Sequence, residues 1–286
     1  MMRPEQAMAV ARESTGWRVG AALAALAAAM PAPCRGAPRS GASECLAGST
    51  HRDVLEDVGP RGEIRLASGT RAVLDSLRWP DAPEAAAAAR AWLEGWRGAP
   101  VTLVPRGQPD RWDRVRADIE SEDGAADLAG GLIGAGLAVA DAGEADALCR
   151  PALRLVESAA RARRLGLWRE PVLAAIDGPG LRDRTGRFAI VEGRVRRVGE
   201  RSARTYLDFG PRGTDALTVT VSKRTWRMVR ARGLSATSLE GRRVRVRGIL
   251  EVWRGPTLEI AADGIEVLSE PERPEAEPEG EQGLRR

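Results

Sequence analysis

Short stretches of this chain alternate apolar and polar residues, and a few longer ones repeat apolar residues at helical spacing. From Arg187 to Leu268 the segments "RFAIVEGRVRRV", "RTYLDFG", "ALTVTV", "RRVRVRGILEVW" and "PTLEIAADGIEVL" alternate with period two. That pattern predicts five strands, with one helix over Lys223 to Arg232 between the third and fourth. Upstream, strands come first and helices follow. One helix is expected near Glu84 to Trp96, with Leu93 and the Trp92/Trp96 pair at helical spacing, another over about Ala126 to Ala140, and a last one over about Ala145 to Leu165. These tryptophans read as core residues. Between the two regions, Pro171 to Gly186 carries "DGPG" and "DRTG" and reads as an interdomain linker. The final stretch, 269–286, is rich in Pro and Glu without apolar periodicity, so it is expected to be a disordered acidic tail.

Length and composition allow two ordinary domains. The chain has 286 residues, and its 43% hydrophobic content is enough for two cores. At the amino terminus, Arg18 precedes an apolar run from Val19 to Met30, which is followed by Pro, Gly and small residues. A membrane span needs about 20 apolar residues, so this shorter run is read as a secretory signal within 1–33, with an uncleaved amino-terminal anchor as the alternative. Pro33 disfavours lipid attachment at Cys34, and no membrane span is expected in the mature chain. Export, to the periplasm or the medium, would expose Cys34, Cys45 and Cys149 to an oxidising compartment. A Cys45 to Cys149 disulfide could then tie the leader (34–57) to the last helix of the first domain; equally, one of these cysteines could be a free core residue. The single histidine, His51, removes histidine-rich zinc sites and two-histidine mechanisms, and it lies in the polar stretch before the first strand.

Charge separates the two regions. Arg52 to Glu170 carries 17 basic and 20 acidic side chains, net −3, whereas Arg187 to Leu268 carries 17 basic and 9 acidic, net +8. If Val244 and Val246 face the core, Arg243, Arg245 and Arg247 share the outer face, and Arg194 and Arg196 do the same on the first strand of that unit. Side by side they would form a basic stripe suited to phosphates. Single-strand binders interleave such charges with stacking aromatics, for which Tyr206, Phe209 and Trp253 are the candidates. Tyr206 and Phe209 point to opposite faces, so at most one is exposed.

Three fragments between Gly62 and Trp168 carry a resemblance. "GEIRLASGTRAVLDSLRWPDAPE" is similar to the opening hairpin and third strand of the staphylococcal-nuclease (thermonuclease) family. "DRWDRV" resembles its "DRYGR" turn, and "CRPALRLVESAARARRLGLW" its last helix and "GLW" stop. The resemblance implies an OB barrel of five strands with packed helices at 58–170, and an activity that cleaves nucleic-acid phosphodiesters with calcium. Small OB domains follow such barrels in exported bacterial proteins, and "YLDFG" and "GRRVRVRG" are similar to theirs. The expected fold class is therefore mainly β with α, as two OB-type barrels at 58–170 and 187–268.

The family's chemistry does not transfer with the scaffold. Its mechanism needs carboxylates for the cation, a glutamate base for the attacking water and two arginines for the phosphorane. Matched residue by residue, the early metal aspartate falls at Gly62 and the first arginine at Val73. The second metal aspartate falls at Arg78, the metal-site threonine at Trp79 and the base at Asp81; the second arginine is kept at Arg114. A guanidinium cannot ligate calcium, and at roughly 4 Å it would repel a cation by about 4 kcal/mol per unit charge at an effective dielectric near 20. Pro80 and the apolar rhythm of Val73, Leu74 and Leu77 support this register over one that moves Asp75 into the metal position. Asp81 has an ordinary reading as a helix-capping carboxylate, and Arg114 as a solvated surface residue.

Two functions stand on this reading. One is an exported, catalytically impaired binding module for nucleic acid, another polyanion or a protein partner, with no metal or cofactor. The other is an active nuclease using Asp81 and Arg114, for which calcium would be the cofactor. The sequence leaves the oligomeric state open.

Overall fold

The computed structural model describes residues 45–143, 147–211 and 213–269. The expected signal segment, Cys34 and the acidic tail beyond Ser269 lie outside the described residues. The fold is mainly β with α. In chain order the elements of the first half are β1 (His51–Val58), β2 (Ile64–Leu66), β3 (Arg71–Leu74), β4 (Leu77–Arg78), α1 (Pro83–Glu94), β5 (Pro100–Arg106), β6 (Arg114–Ser121), α2 (Leu128–Gly134), β7 (Val139–Ala140) and α3 (Leu153–Ala162). A 3-10 turn follows at Gly166–Arg169. The second half holds β8 (Leu173–Ala174), α4 (Gly178–Asp183), β9 (Phe188–Arg194), β10 (Arg197–Glu200), β11 (Arg204–Asp208), β12 (Thr218–Ser222), α5 (Lys223–Ala231), α6 (Ala236–Leu239), β13 (Arg243–Val252), β14 (Pro256–Glu259) and β15 (Ile265–Val267).

In the first half, strands β1-β2-β3-β6-β5 close into a barrel. Alternation puts Leu55, Ile64, Leu66, Ala72, Leu103 and Ile119 inside, all fully or almost fully buried. α1 lays Ala89 and Leu93 on this core, and α2 adds Leu128, Leu132 and Ile133. The Asp127 side chain caps α2 by accepting from the Ala129 and Gly130 N–H groups, and Arg150 pairs with the same carboxylate. The helix is shorter than the expected Ala126 to Ala140. Gly136, at φ +71, turns the chain out of it, and a Cβ there would meet the Leu165 carbonyl oxygen at 2.2 Å. Beyond that turn, Val139–Ala140 pairs with Leu77–Arg78 as a separate ribbon.

The second half forms an eight-stranded sheet with path β10-β11-β12-β14-β13-β9-β8, and β15 pairs with β13 off that path. Three strands exceed the five expected: β8 is new, the first expected segment splits into β9 and β10, and the last splits into β14 and β15. β9 and β10 are separated only by Val195 and Arg196, so one stretch of chain supplies β10 at one end of the path and β9, beside the terminal β8, near the other. Both halves place a parallel pair between their third and last principal strands, β3 with β6 and β12 with β14. Val191, Leu207, Val219, Val221, Val244, Val246 and Leu258 fill the core, which α5 closes with Trp226 and Val229. The region expected to be a linker, 171–186, instead supplies β8, which pairs with β9, and α4, whose Leu181 is buried in the second core. A third cluster, Val139, Ala160 and Trp168 with Leu167, Val172, Phe188 and Ile190, joins the two halves.

Candidate functional site

Of the positions matched to the nuclease metal site and base, Gly62 lies against Trp79, and Arg78, Trp79 and Asp81 line one crevice. Gly62 has φ +76, and a Cβ placed on it would stand 2.4 Å from Trp79 Cε3. The two positions matched to the early metal aspartate and the metal-site threonine are therefore neighbours in space, and the Trp79 indole fills the volume an aspartate at 62 would need. Val73 sits in β3 paired with Arg116 of the parallel strand. Asp75 is buried and satisfied: Arg116 Nη2 and Nε donate to its Oδ1 at 2.6 and 2.9 Å, and Ser76 Oγ donates to its Oδ2 at 2.7 Å.

Arg78 and Asp81 are both engaged by the second half of the chain. The Arg78 guanidinium carbon lies 5.1 Å from the centre of the Phe188 ring. Asp81 Oδ2 accepts the Phe188 backbone N–H at 3.2 Å. The expected capping role of Asp81 is not what is found: Ala82 is the N-cap of α1 and receives no side-chain cap. Arg114 belongs to a different cluster, where Nε donates to Asp110 Oδ2 at 2.8 Å, Nη1 lies 3.4 Å from Glu63 Oε1, and the guanidinium stacks 4.8 Å from the Trp112 ring. No hydrogen bond or ion pair joins Asp81 to Arg114 among the described residues. A crevice of about 200 Å³ remains at the junction, lined by Arg78, Trp79, Asp81, Arg187 and Phe188 among others.

This donor set does not suit a divalent cation. A side chain at 62 has no room, position 78 brings a fixed positive charge, and position 79 brings an apolar ring with no oxygen. Among the described residues no group of three or more His, Cys, Asp or Glu side chains is placed to hold a metal ion.

The basic stripe is only partly a surface. Val244 and Val246 do face the core, but at Arg247 the outer face of β13 meets Glu157 of α3 rather than water. Arg247, 4% exposed, donates to Glu157 Oε1 and Oε2 at 2.9 and 3.0 Å and to the Ala140 carbonyl oxygen at 2.9 Å. Arg245, 5% exposed, pairs with Glu192 at 2.5 Å and Glu266 at 2.8 Å, and Arg243 pairs with Glu192 at 2.8 Å. Arg194 donates to the Gly241 carbonyl oxygen. Arg196 is exposed, with no carboxylate partner among the described residues. Neutralised and covered in this way, Arg245 and Arg247 are not available to a phosphate chain; Arg245 ties β13 to β9 and β15, and Arg247 holds the second half to the first. Strand periodicity shows that a residue leaves its own core, not whether another domain receives it. The one legible hint was Glu157, an acid on the apolar stripe Leu153, Glu157, Ala160 of α3.

The junction also shifts two carboxyls. Burial pushes Asp141 up to about 6, with Arg78 and Arg154 pulling down and Asp263 pushing further up. Burial likewise raises Glu157 to about 7, against the pull of Arg154, the Ala140 N–H and Arg161. Cys45 and Cys149 form a disulfide with Cα atoms 5.1 Å apart, and Ala47 bridges to Arg106; the expected leader of 34–57 is thus fastened to the barrel, and from His51 onward it is itself barrel strand β1 rather than a stretch before the first strand. His51 is the exposed first residue of β1. Of the stacking candidates, Phe209 is buried, while Tyr206 and Trp253 line one groove of the second unit. No helix among the described residues is long and apolar enough to cross a membrane. Neither a protein-family model nor a curated protein matches this chain.

Proposed function

We propose that this chain is an exported, thermonuclease-like protein built on two OB-type barrels, in which the first has lost its hydrolytic chemistry and the whole acts as a binding module for nucleic acid. The observation that carries this reading is the contact of Trp79 with Gly62. It removes space where a metal aspartate would stand, and the neighbouring Arg78 and Asp81 are committed to Phe188. The shared strand order and the parallel third-to-last strand pair in both halves support the two-barrel reading. The Cys45–Cys149 bond supports an oxidising compartment. The net charge of +8 on Arg187 to Leu268 supports a polyanionic ligand.

The test is direct. The full-length protein, given calcium and single- or double-stranded DNA or RNA, hydrolyses no more than its Arg114→Ala variant. Calcium-dependent cleavage that Asp81→Ala abolishes would return the protein to the active nucleases.

A further inference from the structure

The second unit has a groove away from the junction, lined only by residues between 206 and 257. β10, β11, β12 and β14 turn Val198, Leu207, Val219 and Leu258 toward the core. Alternation then sends Arg197, Tyr206, Thr218 and Thr257 outward. Tyr206 stands opposite Gly199 on one side and Thr220 on the other, so its ring rises between a residue without a side chain and one with a short side chain. Over this platform reaches the hairpin that joins β13 to β14. Trp253 at its tip is 68% exposed, and Arg254, at φ 60, holds its guanidinium carbon 5.2 Å from the indole centre.

We propose that this groove binds single-stranded nucleic acid, with bases stacked on Tyr206 and Trp253 and phosphates held by Arg196, Arg197 and Arg254. The inference rests on the nucleic-acid reading given above and gives it a site. Arg196 and Arg197 line a cleft that shares Asp208, Gly210 and Pro211 with the groove, so charge and rings are contiguous. Unlike Arg243, Arg245 and Arg247, these three arginines have no carboxylate partner among the described residues. Their charge is therefore free to replace the counterions of a phosphate chain. A left-handed backbone is unfavourable at a non-glycine residue, and here it sets an arginine over an indole at the groove's edge.

The floor separates bases from phosphates. Asp208, which accepts from Thr218 Oγ1 at 3.4 Å, repels a phosphate but accepts hydrogen bonds from base N–H groups, the thymine N3–H among them. Phosphates are thus left to the arginines on the rim. A duplex hides its base faces, so a site built from two aromatic rings takes a single strand.

Fluorescence anisotropy of the full-length protein with labelled oligo(dT), and with an abasic sugar-phosphate chain of equal length, tests this. Oligo(dT) is expected to bind more tightly than the abasic chain. Tyr206→Ala and Trp253→Ala each weaken it by about 10- to 100-fold, while Tyr206→Phe retains binding and so reports an intact fold. Arg196→Ala, Arg197→Ala and Arg254→Ala each lower the salt slope by about one. If the wild type binds and the two alanine variants at the rings bind equally well, or if the abasic chain binds as tightly as oligo(dT), the groove is not the site although the nucleic-acid reading stands. If the wild type binds no oligonucleotide, both fall. Binding of a neutral oligosaccharide that Trp253→Ala abolishes, with no oligonucleotide binding, would also overturn both.

Discussion

Replacing Arg247 by Met strips the cation from a carboxylate that has almost no access to water. The Arg247 and Glu157 side chains are 3% and 1% exposed, and the guanidinium makes two charge-assisted bonds to the carboxylate as well as one to the Ala140 carbonyl oxygen. Arg154 and Arg161 remain 3.8 and 3.9 Å from Glu157, too far to take over the lost hydrogen bonds. Breaking a buried pair from one side costs about 3–5 kcal/mol, because the surviving charge is left desolvated. That is a large part of a typical stability of about 5–15 kcal/mol. Replacing both partners, as Arg247→Met with Glu157→Leu, removes the orphaned charge and should recover most of the loss.

The pH dependence follows from the raised Glu157 carboxyl. A carboxyl whose folded value lies above its unfolded value stabilises the fold below the unfolded pKa, and that contribution is lost as pH rises through the folded value of about 7. Removing Arg247 raises the folded value further, so the penalty of Arg247→Met should shrink between pH 8 and pH 5. Urea unfolding of the single and double variants, followed by tryptophan fluorescence at both pH values, measures the coupling. A single-variant cost below about 1 kcal/mol, or a double variant as unstable as the sum of the singles, would refute the argument that this pair fastens the two halves.

Other consequences are equally open to measurement. Gly62→Asp should lower the thermal midpoint sharply because its Cβ meets the Trp79 ring, and adding Trp79→Thr should restore much of it; a fully stable Gly62→Asp protein would contradict the packing described. Reducing the Cys45–Cys149 bond opens a loop of 104 residues and should cost about 2–5 kcal/mol, read as a drop in melting temperature with reductant. Asp141→Asn should stabilise the protein at pH 7.5 by about 1–2 kcal/mol and leave it unchanged near pH 4. Its raised carboxyl, surrounded by Arg78, Arg154 and Asp263, opposes folding only once ionised, and residual solvent reduces the full effect of the shift. Equal effects at both pH values would place the cause elsewhere.

Local pattern was enough to show where most strands and helices run. Alternation placed Val244 and Val246 in the second core, and helical spacing placed Leu93 in the first. These readings succeed because each depends on a residue's own chemistry and its near neighbours in the chain. The fate of the outer faces depended on partners far away in sequence. Arg247 meets Glu157 across 90 residues, and Asp81 meets Phe188 across 107. Tyr206 and Trp253 come to line one groove because β14 carries the hairpin tip back beside β12. A one-dimensional pattern tells a residue to leave its own core, but packing of separate elements decides whether it then meets water, a carboxylate or another ring. For that reason the arginines that read as one stripe divide into a buried clasp and an open rim.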